Sequence, residues 1–232
     1  MNLRKQQNLI ITIAIVVAIL LLSGCLTSQK IDKYVGTKFN NELPKPDKKT
    51  SDISITSAVS FNSDNISATE TKTSHMLPLL FYWQWDYKNT CTLNPAIPVN
   101  TFRKAFLSQA NKGLNQKLNG QKLELTLEEL PHAFAFDDKA HMVWVIYAFG
   151  WDKISVQPDV KDMVVSYKVL QNGSVTKSGR ITIKNNEKNR GLRFFQSWKS
   201  AISEYLEQYN DDMTAMGRSC ATQLSQELYP AN

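Results

Sequence analysis

Apolar residues recur along this chain on two periods, two and about four, and the switches between them mark out the elements. Ile53, Ile55, Val59 and Phe61 share one face of a period-two pattern with Ser, Asp and Thr opposite, which predicts a half-buried strand. Residues 62–75 are polar and read as a loop. Leu77, Leu79, Phe81, Trp83, Trp85 and Tyr87 then alternate with Pro78, Leu80, Tyr82, Gln84 and Asp86, predicting an aromatic strand with residues 90–95 as its exit loop. Phe102, Phe106, Ala110, Leu114 and Leu118 step by four, the stripe of a helix capped by Asn100 and stopped at Asn119-Gly120.

Leu123, Leu125 and Leu127 return to period two until Pro131, and Phe134 and Phe136 continue beyond the bend. Residues 142–149 are apolar without alternation, as in a central strand covered on both faces. Residues 163–170 and 175–183 flank Asn172-Gly173, a tight-hairpin signal. Phe195, Trp198, Ile202, Tyr205, Tyr209, Met213, Met216, Cys220 and Leu224 advance by three or four. They predict a helix of about 30 residues, about 45 Å long. Gly217 is its weak point, costing about 1 kcal/mol against Ala. Clustered strands with two separated helices give an α+β domain over 52–232, its layout one mainly antiparallel sheet with both helices on one face.

The chain begins differently. Arg4 and Lys5 precede a run from Leu9 to Leu22 broken only by Thr12, and then Ser23-Gly24-Cys25. A basic start, an apolar run and small residues at the end are the parts of an export signal, and the run falls short of the roughly 20 residues that span a bilayer. Leu22-Ser23-Gly24-Cys25 resembles the lipobox of bacterial lipoproteins. The resemblance implies a signal peptide over 1–24, cleavage before Cys25, and a lipid anchor on that cysteine through diacylglycerol. Two or more acyl chains, palmitate among them, hold firmly where one does not. Leu26 after Cys25 resembles the outer-membrane sorting choice, and implies a cell-envelope protein facing the periplasm or the cell surface. Residues 26–51 are polar and read as a flexible tether from the lipidated cysteine.

Removal of 24 residues leaves 208, with 25 basic and 21 acidic side chains. So mild an excess, without a basic stripe, gives no support to nucleic-acid binding. Cys91 and Cys220 remain, and export puts them where a pair of thiols usually forms a disulfide bond. Cys220 lies on the apolar stripe of the long helix, an orientation suited to a bridge with Cys91.

Candidate chemistry is thin. His75, His132 and His141 are not at metal-ligand spacing, so no metal and no cofactor are expected. There is no GxSxG, HExxH or phosphate-cradling glycine loop. Ser174-Val175-Thr176-Lys177 matches SxxK but falls in the predicted hairpin, and Glu128-Glu129 and Asp137-Asp138 put adjacent acids on opposite strand faces. No enzyme activity is expected. The aromatics admit core packing or, where exposed, a ligand groove, for which Trp83, Trp85 and Trp151 are the candidate residues.

Strand, helix, strands and long helix behind a lipobox resemble, over residues 52–228, the auxiliary lipoproteins of ABC-type transporters and the lipopolysaccharide-assembly lipoprotein. The resemblance implies a non-enzymatic envelope protein, held to the membrane by its lipid anchor, that binds a partner protein in transport or assembly. The other reading is a lipoprotein that binds a glycan or lipid through exposed aromatics.

Overall fold

The computed structural model describes residues 27–39, 52–59, 66–77, 81–111, 113–144, 147–193 and 196–230. The expected signal peptide, Cys25 and residues 40–51 of the expected tether lie outside them, as do Phe61, Leu79 and Phe195. In chain order the elements are α1 (Ser28–Phe39), β1 (Ile53–Ser57), β2 (Ile66–Leu77), β3 (Tyr82–Leu93), α2 (Ala96–Ala110) and α3 (Leu114–Leu118). There follow β4 (Lys122–Glu129), β5 (Ala133–Trp144), β6 (Ala148–Pro158), β7 (Met163–Gln171), β8 (Ser174–Ile183), β9 (Arg190–Gly191) and α4 (Trp198–Leu228).

The fold is α+β, but its strands form two sheets rather than one. The first has the order β1-β4-β7-β8 and the second β2-β3-β5-β6-β9. Among the described residues only the β1–β4 pair is parallel. Leu130-Pro131-His132 carries the chain from one sheet to the other, because proline cannot donate to a continuing ladder. The hairpin between β7 and β8 turns at Asn172 and Gly173, both at positive φ, as the tight turn requires.

The long helix joins the sheets. Ser197 caps it by accepting from the Ser200 amide. In its first half, Tyr205 packs on Phe134 of β5 and Tyr209 donates to the Pro131 carbonyl at 2.7 Å. In its last turns, Glu227 accepts from the Tyr167 hydroxyl of β7 at 2.6 Å. Between these ends it packs on α2 at Gly217, where a Cβ would stand 2.9 Å from the Phe102 carbonyl oxygen and 3.0 Å from Ala105 Cβ. The glycine read as a weak point is where two helices approach closely.

Three local expectations are corrected. Residues 28–39 are no flexible tether but α1, whose Ile31, Val35 and Phe39 are buried in the core. They step by four, so a short apolar stripe is present beneath the polar composition. The helix read from Asn100 begins at Ala96 behind Pro95, whose missing amide costs nothing at a helix start. The aromatic strand starts at Tyr82 and runs to Leu93, taking in the expected exit loop, and it pairs along its whole length with β2, where a loop was expected.

Candidate binding surface

Strands β2, β3, β5 and β6 have 11 or 12 residues each and outrun the helices that cover their roots. Near the root, Cys91, Phe134, Phe136 and Val156 are buried. Toward the other end the same sheet loses its cover and projects as an arm. At its apex Phe81, Trp144, Tyr147 and Phe149 are exposed, with Tyr147 at 73%. Residues 142–149, read as a central strand covered on both faces, instead divide between two paired strands, 142–144 ending β5 and 148–149 opening β6. An apolar run is buried only where other layers reach it. Phe81, which leads into β3 beside the end of β5, stands at φ 44°, a left-handed conformation uncommon for a bulky residue.

Register sorts the arm into two faces. Trp83, Trp85 and Tyr87 continue the core-facing side of β3, beside Met142, Ala140 and Asp138 of β5. The indoles of Trp83 and Trp85 lie parallel, with centroids 6.2 Å apart. Lys72 sits over the Tyr87 ring at 5.7 Å. Burial pushes the Asp138 carboxyl up, and the neighbouring carboxylates of Asp152 and Asp137 push it further. The opposite face carries Tyr82, His141 and Trp151. The Tyr82 hydroxyl shares a 2.6 Å hydrogen bond with His141 Nδ1, and the imidazole stacks on Trp151 at 5.2 Å. The three candidate tryptophans are therefore not one site: Trp83 and Trp85 are half-buried on one face, and Trp151, 50% exposed, is on the other.

The charges are levelled across the strands. Thr73, Asp86, Lys139 and Lys153 form one row. Asp152 lies one row above it and Lys72 one row below. Beyond them, residues 76–85 and 142–151 contain no Asp, Glu, Lys or Arg. Reading the sequence strand by strand misses this boundary, because it appears only once register aligns the strands.

Other candidate chemistry sits elsewhere. A polar cleft of about 600 Å³ lies between α4 and the segment after β8, lined by Lys184, Glu187, Arg190, Tyr205, Gln208 and Asp212 among others. Glu187 Oε1 is buried there without a hydrogen-bond partner, while Oε2 accepts from Tyr205 at 3.4 Å. Burial raises its carboxyl to about 7, with Asp212 adding to the rise. His132 Nδ1 donates to the Leu130 carbonyl and His141 bonds Tyr82, so neither of these contacts activates a serine or cysteine. Lys177 of the SxxK match donates to the Glu227 carbonyl and so caps α4.

Cys91 and Cys220 are free thiols, both buried. Burial pushes each to about 12, with Asp32 adding to the rise at Cys91. The expected bridge is absent for a geometric reason. Cys91 lies opposite Phe134, whose ring packs on Tyr205. Cys220 is fifteen residues further along α4, about 22 Å of helix. A disulfide needs Cα atoms within about 4–7 Å.

No family model, no curated protein and no solved structure matches this chain.

Proposed function

We propose that this chain is a lipid-anchored protein of the bacterial cell envelope that works by binding rather than by catalysis. The aromatic arm is its binding surface, and an envelope protein engaged in transport or assembly is its partner. The observation that carries the reading is the exposure of large aromatics on a sheet that outruns its own helices. Exposed apolar patches of this kind mark interaction sites, and Trp and Tyr dominate the energetics of such surfaces. The lipobox-like Leu22-Ser23-Gly24-Cys25 supports the anchor, and with it the cell envelope as the place of action.

A second reading assigns the arm a glycan or lipid. It is favoured by one observation: none of Trp83, Trp85 and Trp151 is buried. Crosslinking in intact membranes followed by purification of the chain tests the first reading. Wild type is expected to bring down a defined envelope protein, and Trp83→Ser with Trp85→Ser to lose it. Recovery of no envelope protein by either would contradict the first reading.

A further inference from the structure

The apex has the layering of a membrane-seeking surface. Its outermost rows hold Phe81, Trp144, Tyr147 and Phe149, all exposed and without a charged neighbour in residues 76–85 or 142–151. Tyr82 is level with Phe149, and behind that row come Trp83, His141 and Trp151, rings with an apolar body and a polar tip, of which Trp and Tyr are enriched where hydrocarbon meets water. The charges begin only behind the rings, and on all four strands within adjacent rows. From the Phe81 row to the Gln84 row is about 10 Å at a strand's rise, close to the depth to which interfacial segments enter a leaflet. Lys72, Lys88, Lys139 and Lys153 are balanced by Asp86, Asp137, Asp138 and Asp152, so apolar burial rather than net charge would drive the contact.

The direction of α1 points the same way. Tyr205 on Phe134 and Tyr209 on Pro131 set α4 antiparallel to β5, so α4 starts at its apex-facing end. Tyr34 packs on Trp198, and Lys38 Nζ reaches the Ser203 hydroxyl at 2.6 Å and the Glu207 carboxylate at 3.3 Å, which sets α1 parallel to α4. The first turn of α1 therefore also faces the apex, about 20 Å beyond the Phe134 level by helical rise. Cys25 precedes α1 by three residues, which reach about 10 Å more. Trp144 stands about 34 Å beyond the same level by strand rise.

We propose that the apex of the arm inserts into the surface of the same bilayer leaflet that holds the acyl chains of Cys25. The inference rests on the lipid-anchor reading of Cys25. It makes the arm a second membrane contact, seats the domain on the bilayer, and leaves the flanks of the arm open to a partner.

The test uses the full lipidated protein, reconstituted into phosphatidylethanolamine–phosphatidylglycerol vesicles with plain or acyl-brominated lipids. Bromine quenches tryptophan on contact. Wild type is expected to lose at least the share of Trp144, one of five tryptophans, in brominated vesicles, and added salt should not restore it. Trp144→Phe, a conservative variant, should lower that loss. Tyr147→Asp with Phe149→Asp should abolish it while circular dichroism stays native and the protein stays with the vesicles. Acylated, vesicle-bound protein with equal emission in both lipids would overturn insertion alone and leave the apex to a protein partner. Absence of acyl groups on Cys25 would overturn the anchor and this inference together.

Discussion

The ring of Tyr34 packs edge-on against Trp198, with centroids 5.6 Å apart and planes at 75°. The contact ties the first described helix to the start of the last. It makes residues 28–39 part of the folded domain. Ile31 of the same helix is wholly buried, so Ile31→Ala should destabilise the protein by about 2–4 kcal/mol. Urea unfolding measures this directly. A free tether would show no change.

Gly217→Ala separates propensity from packing. In an open helix the change would stabilise by about 1 kcal/mol. Here the new Cβ meets the Phe102 carbonyl oxygen at 2.9 Å, and a backbone atom yields little. Overpacking should win, with a net loss of about 1–3 kcal/mol in the same assay.

The elements strongest in the sequence were those whose patterns are set by one buried face. The leucines of β4, the Asn172-Gly173 hairpin and the stripe of α4 all appear where the periodicity puts them. Strand β2 was illegible because its exposed residues 71–76 need no apolar face, and its pairing with β3 is made by the backbone. The change of strand between Trp144 and Ala148 was illegible for the opposite reason: an apolar run resembles a buried strand unless the layers above it are known. Trp83, Trp85 and Trp151 could be chosen by residue type, but only register shows that they occupy two faces and that the charges behind them are level.

Glu187 gives stability a pH dependence of known sign. Its carboxyl titrates near 7 in the folded protein against 4.5 as the ordinary value, so between those values the native state holds the extra proton. That contribution is full below about pH 4.5 and is lost as pH rises through about 7. The side chain is partly exposed, so the effect, discounted for solvent screening, should be about 1 kcal/mol. Unfolding at about pH 5 and about pH 8 should differ by less in Glu187→Gln than in wild type.

The thiols should be silent in the native state. With Cys91 and Cys220 both buried and pushed to about 12, neither offers a thiolate to an alkylating reagent at neutral pH. Unfolding without reductant should expose both to modification, counted by mass. If neither reacts after unfolding, the two are bridged and the packing of α4 on β5 is wrong.

The arm as the working surface is the claim on which the functional account turns, and a position-specific photocrosslinker in living cells tests it most directly. The probe replaces Phe149 on the arm or, as the control, Val175 on the β7–β8 hairpin, both of them exposed. The account predicts adducts with envelope protein or lipid from position 149 and none from position 175. Adducts from 175 alone, or from neither, would contradict it.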